Sequence, residues 1–204
     1  MHWILIRHGE TLFNAEGRFQ GRHDSPLSEL GEKQTRALGV FLGHFLKDRP
    51  VERWFVSPLG RTRQTSELLR SLIPFSLPEV SHHEDLVEIS CGQWEGRLHS
   101  EVAPDLLHPV RDDPRARYPG GESRLDVVAR ARRFYEENGS GSGNGITVIV
   151  SHGNFLQCLT DFLLDLNLDF ASRSWLDNTG MVELMTRSGE RPYRLMRWNA
   201  TPHL

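Results

Sequence analysis

Three apolar runs in this sequence end on residues that could do chemistry. WILI gives way to Arg7-His8-Gly9, RWFV to Ser57-Pro58-Leu59-Gly60-Arg61, and GITVIV to Ser151-His152-Gly153. If the three runs are neighbouring strands, two arginines and two imidazoles meet at one spot. The chain as a whole carries a net charge of -3. Collecting cations against their own repulsion and desolvation needs a concentrated anion to offset it. A phosphoryl group fits that need. Guanidinium forks match its oxygens two at a time, and a helix starting after each turn adds backbone N–H donors. A glycine directly after each histidine lets the backbone approach closely. Taken singly, each residue has a plainer reading: His8 or His152 as a hydrogen-bonded core histidine, Arg61 as a helix surface charge. The chemistry rests on their joint occurrence.

The elements that must position these residues follow a single grammar. The runs within 2–9, 53–61 and 145–153 are near-continuously apolar, as expected of strands buried on both faces. Helical patterns follow them. Residues 28–49 begin with Ser28 as N-cap and carry Leu38, Phe41, Leu42 and Phe45 at helical spacing. Residues 60–73 and 154–166 predict two more helices. A fourth spans 122–138, with Leu125, Val128, Ala129 and Arg132 read as one inward register and Asn138-Gly139 as its end. GSGSGNG at 139–145 predicts a flexible loop. Residues 179–199 predict a hairpin around Ser188-Gly189. Strands alternating with helices predict an α/β fold: a sandwich on a mostly parallel sheet, with ligands at the carboxyl ends of the strands. Residues 74–121 are rich in Pro, His and acids with little periodicity, and are expected to form a small cap-like insertion or long ordered loops within a single 1–204 domain.

Composition narrows the function classes. The length suits one domain with a substantial core. Mixed charge argues against a nucleic-acid or membrane partner. The first residues, MHWILIRHGET, are too short for a membrane span and lack a basic leader and a small-residue cleavage site. Cys91 and Cys158 lie far apart outside any CxxC, which fits a reducing cytoplasm while leaving a pairing open. His2, His44, His82, His83, His108 and His203 lack a comparable context and read as surface residues. A zinc site on His8 and His152 lacks recognisable further ligands, with only Glu10 and Asp24 at hand.

The sequence also resembles a known family. LIRHGET, Asn14, GRFQG (17–21), Asp24, PLSELG (26–31), SPLGRTRQT (57–65), LVEISCGQWEG (86–96), GGES (120–123) and SHG (151–153) occur in the order seen in the histidine phosphatase superfamily, the phosphoglycerate-mutase-like family. The resemblance implies a three-layer α/β/α fold and phosphoryl transfer through a phosphohistidine, without cofactor or metal. It implies His8 as nucleophile and Glu88 as general acid. It further implies Arg7, Arg61, His152 and Asn14 around the phosphoryl group, with Gln20 and Gly21 lining the substrate pocket. Arg22 and His23 follow and could reach a second acidic group on a substrate. So could basic residues of the cap, such as Arg97 and His99.

The implied chemistry needs His8 neutral, one ring nitrogen donating to an acceptor near Gly9. It needs Glu88 protonated, through burial beside groups such as Trp94. The family holds phosphatases and mutases. Residues 89–121 are compact and show no counterpart of the basic insert typical of cofactor-dependent phosphoglycerate mutases. A phosphatase of small phosphorylated metabolites is therefore expected. A mutase and a non-catalytic phosphate-binding protein are the alternatives, and a homodimer is conceivable.

Overall fold

Apolar residues on the central strands alternate between two faces, and both faces are covered. The computed structural model describes residues 1–139, 145–187 and 189–204, so most of the loop expected at 139–145, and Ser188 of the expected turn, lie outside the described residues. In chain order the elements are β1 (His2–Arg7), α1 (Leu12–Ala15), α2 (Glu29–Phe45), β2 (Val51–Val56), α3 (Gly60–Ser71), β3 (Val80–His82), α4 (Pro104–Asp112), α5 (Arg124–Asn138), β4 (Ile146–Ser151), α6 (Gly153–Leu164), α7 (Asp169–Arg173), β5 (Met181–Met185) and β6 (Arg194–Ala200). The strands form one sheet in the order β3-β2-β4-β1-β5-β6. Neighbours among β3, β2, β4 and β1 pair in parallel; β5 runs against both β1 and β6.

The two-residue period sorts the core into two layers. Trp3, Leu5, Phe55 and Ile149 face one side and pack with Phe134 of α5 and Phe155 of α6. Ile4, Ile6, Trp54 and Val150 face the other side and pack with Leu38 and Leu42 of α2 and Leu69 of α3. This is the three-layer arrangement that the family resemblance implies. Each such side chain contributes about 1.5–3 kcal/mol by leaving water. Ser28 caps α2, accepting from the Gly31 N–H at 3.0 Å while its hydroxyl donates to Glu10 at 2.6 Å.

Three expectations change. The buried face of α5 is Val127, Ala131 and Phe134, together with Arg124 and Arg130; Leu125 is exposed, as are Ala129 and Arg132. The error has a physical cause: two arginines on the inner face hide the apolar stripe. The segment 74–121 is also not wholly a cap. Its residues 80–82 form the edge strand β3, and Leu86, Ile89 and Trp94 belong to the main core. A three-residue strand with exposed Ser81 and His82 has no apolar period to read. Finally, not all the remaining histidines are surface groups. His44, His82 and His108 are exposed, but His2, His83 and His203 are partly buried. Both cysteines are free and buried.

Candidate active site

The order of the sheet decides whether the chemistry-bearing residues meet. β4 lies between β1 and β2, with Arg7 opposite Ser151 and Val56 opposite Val150. Beyond the last pairs, the His8 N–H donates to Ser151 O and the Ser57 N–H to Val150 O, each at 3.0 Å. The three strand ends are therefore adjacent, and the residues after them converge.

His8 is buried, and its Nδ1 lies 2.8 Å from the carbonyl of Gly9. A carbonyl only accepts, so Nδ1 carries the proton and Nε2 keeps its lone pair. Burial holds the His8 pKa well below its ordinary 6.5, and Arg61 and Arg7 lower it further. His152, also buried, has its ring centroid 5.3 Å from that of His8. Its Nδ1 accepts from Arg61 Nε at 3.2 Å, so Nε2–H points to Ser57 Oγ at 2.7 Å. Its pKa too is held well below 6.5, first by burial and then by Arg61. Both imidazoles are thus neutral bases in a cationic wall.

Arg61 opens α3 and is 1 % exposed. Besides His152, its fork donates to Gly21 O at 2.7 Å and His23 O at 3.1 Å, and pairs with Asp24 at 3.4 Å. One arginine thereby ties the buried His152 to the 20–24 turn. Arg7 donates through Nη1 to Leu176 O at 2.5 Å, while its Nε is buried with no partner among the described residues. Burial lowers the pKa of both guanidiniums, and the charge of Glu88 opposes that.

Glu88 is 9 % exposed. Its carboxylate accepts from the N–H of Ile89 at 2.8 Å, Phe155 at 3.0 Å and Asn154 at 3.2 Å. The last two belong to the first turn of α6, a natural seat for a carboxylate. Trp94, the expected neighbour, is buried and packs its ring against Phe19 and Tyr118. The loop carrying Glu88 is fixed by a residue that sequence reasoning missed. Arg130 of α5 donates to the carbonyls of Asp85 at 2.6 Å, Val87 at 3.0 Å and Glu88 at 3.4 Å, and is paired with Glu122 at 3.0 Å.

The weaker expectations divide. Asn14 closes the capping box of α1, and its Oδ1 accepts from Asn178 at 3.2 Å; Asn178 also donates to His8 O at 3.1 Å. Asn178 and Thr179, whose N–H donates to the carbonyls of Arg7 and His8, are supporting residues that the sequence reading passed over, Thr179 as the start of the 179–199 hairpin. Gln20 is buried; its Oε1 takes a bond from Thr11, and its Nε2 has no partner among the described residues. Gly21 adopts φ +54°, and a Cβ there would lie 2.3 Å from Glu95 Oε1. Arg22 is exposed and paired with Glu122 at 3.0 Å. The ring of His23 packs on Phe13, that of His99 on Phe19, and Arg97 donates to Glu101 O. Glu10 and Asp24 are engaged by Ser28 and by the Gly60 N–H. Among the described residues no group of three or more His, Cys, Asp or Glu is placed to hold a metal ion.

The two glycines after the histidines differ. A Cβ on Gly9 would lie 2.5 Å from Thr35 Oγ1 and 2.7 Å from Gly31 O, so α2 demands a glycine there. A Cβ on Gly153 would make only ordinary contact with Arg7, at 3.5 Å or more.

The profile of the histidine phosphatase superfamily (branch 1) matches residues 3–201. The chain belongs to this superfamily. Its relatives include a glucosyl-3-phosphoglycerate phosphatase of Mycolicibacterium vanbaalenii, 34% identical over 97% of this chain and 94% of that one. Phosphoserine phosphatase 1 of Hydrogenobacter thermophilus is 31% identical over 98% of this chain and 93% of its own. Among solved structures, a mycobacterial glucosyl-3-phosphoglycerate phosphatase in complex with VO3 matches at a TM-score of 0.85, with 30% identity and 98% of each chain covered. This histidine phosphatase fold is the three-layer sandwich described above. No helix among the described residues is long and apolar enough to cross a membrane.

Proposed function

We propose that this histidine phosphatase is a phosphomonoesterase of small phosphorylated metabolites, acting through a phosphohistidine on His8. The observation that carries the reading is the state of His8: a neutral imidazole, its Nδ1–H fixed by Gly9 O, in a wall built by the buried guanidiniums of Arg7 and Arg61. The named activities of the two relatives, on glucosyl-3-phosphoglycerate and phosphoserine, support the substrate class. Residues 1–204 act as one domain, with 74–121, apart from β3 and the core residues Leu86, Ile89 and Trp94, as its cap.

The reaction runs in two displacements. His8 Nε2 attacks phosphorus as the ester P–O bond breaks; Glu88, a carboxylate before substrate binds, takes up a proton with the ester's negative charge and gives it to the leaving alkoxide. Water then attacks the phosphohistidine, Glu88 takes its proton, and inorganic phosphate leaves. Arg7 and Arg61 hold the phosphoryl oxygens throughout, supplying the positioning and charge stabilisation that phosphoryl transfer needs. The steps require no metal.

The test is phosphate release from p-nitrophenyl phosphate and from phosphoserine, with and without EDTA. Wild type turns over both, EDTA leaves the rates intact, and His8→Ala abolishes them. Glu88→Gln loses far more on phosphoserine, whose alkoxide needs a proton, than on p-nitrophenyl phosphate, whose leaving group departs without one. Metal-dependent turnover, or equal losses on both esters, contradicts the assignment. Faster transfer to 3-phosphoglycerate than to water, with a bisphosphoglycerate primer, would make the enzyme a mutase.

A further inference from the structure

One large apolar side chain beside this site has no part in the scheme above. Trp175 is 68% exposed. It is nevertheless held. Its indole N–H donates to Asp177 Oδ1 at 2.8 Å. Asp177 is tied twice to Asn199, by its backbone N–H at 2.8 Å and its carboxylate at 2.7 Å. The Trp175 carbonyl accepts from the Trp198 indole at 2.8 Å. The ring is therefore oriented before any ligand arrives, which lowers the entropy lost on binding.

The backbone that carries this ring is part of the site. Leu176 O receives Arg7 Nη1, and Asn178 reaches the His8 carbonyl. The Arg7 guanidinium carbon is 5.8 Å from the indole centroid. The guanidinium assigned to the phosphoryl group therefore also lies within reach of an exposed indole. An ester held by Arg7 has its alcohol turned away from His8, because the displacement runs in line. Among the described residues Trp175 is the one aromatic of the exposed large apolar side chains, and its ring centroid is 5.8 Å from that clamp. Indole offers a broad apolar face suited to stacking with the face of another ring, and it is a poor partner for a short polar chain.

We propose that the indole face of Trp175 receives the alcohol part of the phosphate ester and selects esters whose alcohol presents a ring. The proposal rests on the phosphatase reading above. It is tested by kcat/KM for wild type, Trp175→Ala and Trp175→Phe on four esters. Two present rings, p-nitrophenyl phosphate (planar) and glucose 1-phosphate (pyranose). Two are acyclic, phosphoserine and glycerol 3-phosphate. Each variant is compared with wild type on the same ester, so differences in leaving group cancel. Trp175→Ala is expected to lose about tenfold more on ring-bearing than on acyclic esters, through KM, a size usual for a lost apolar contact. Trp175→Phe recovers most of that selectivity. Loss on only one of the two ring-bearing esters assigns the platform to that kind of ring.

Equal losses on all four esters overturn the proposal, since they mean that Trp175 acts only by holding Arg7. No loss overturns it as well, and so does a change in sedimentation without a change in selectivity, which would assign the ring to contact with a second copy. If wild type hydrolyses no ester, the phosphatase reading fails. The proposal is then judged by calorimetry: it stands if wild type binds p-nitrophenyl phosphate more tightly than glycerol 3-phosphate and Trp175→Ala does not, and falls otherwise.

Discussion

At the scale of single residues, the site depends on what each polar hydrogen can do. His8 Nδ1 faces a group that only accepts, and His152 Nδ1 faces one that only donates, so both tautomers follow from their partners. His8, Arg7, Arg61 and His152 stood out in the sequence because they occur together in the turns that follow three apolar runs. The acceptor near Gly9 was legible too, as simple reach. What was not legible was the second occupation of Arg61, whose guanidinium joins His152 to the carbonyls of Gly21 and His23. We predict that Arg61→Ala lowers kcat/KM by about 10²–10³-fold, or about 3–4 kcal/mol of transition-state stabilisation. Arg61→Lys should recover little, because a point charge cannot reproduce the fork. Steady-state kinetics on p-nitrophenyl phosphate check both. Near wild-type rates in Arg61→Lys would show that charge alone suffices.

At the scale of elements, loops from distant parts of the chain are tied to the strand ends. Arg130 is the principal tie. It lies on the inner face of α5 and holds the carbonyls of Asp85, Val87 and Glu88. A helix is read from its apolar period, and an arginine on the inner face breaks that period. The register of α5 and the support of Glu88 were therefore misread for the same reason. β3 escaped notice because three edge residues carry no pattern, and Asn178-Thr179 because a turn before a strand looks like any other turn. Arg130→Ala is predicted to destabilise the fold by about 3–5 kcal/mol, as expected when one partner of a buried ion pair is removed. Denaturant titration measures this. The same variant should lose more turnover on phosphoserine than on p-nitrophenyl phosphate, since Glu88 is the group set loose. A stable variant, or equal losses on both esters, would remove Arg130 from this role.

At the scale of the whole molecule, a chain of net charge -3 keeps neutral histidines in a buried cationic centre. That has a consequence for stability. His8 and His152 are held well below 6.5 in the fold, and burial takes His2 down to about 4. Unfolded, all three regain ordinary histidine behaviour. As pH falls below 6.5 the unfolded chain binds protons that the fold refuses, so their stabilising contribution is present above 6.5 and is lost as pH descends toward the folded values. Thermal unfolding followed from neutral pH down to about pH 4 should show a steadily falling Tm. A Tm that holds or rises over that window contradicts the depressed histidines. The parallel sheet and its two covered faces were legible from apolar runs and helical periods; the strand order that brings the three ends together was not, because pairing between distant segments leaves no local mark. The central claim is that this arrangement serves covalent phosphoryl transfer on His8. The most direct measurement is mass spectrometry of enzyme mixed with phosphoserine and quenched in alkali within the first turnover, where a phosphohistidine survives. The account predicts one phosphoryl group on the peptide containing His8, absent in His8→Ala and longer-lived in Glu88→Gln. Full turnover with no phosphoryl group on that peptide, or the group on another residue, would contradict it.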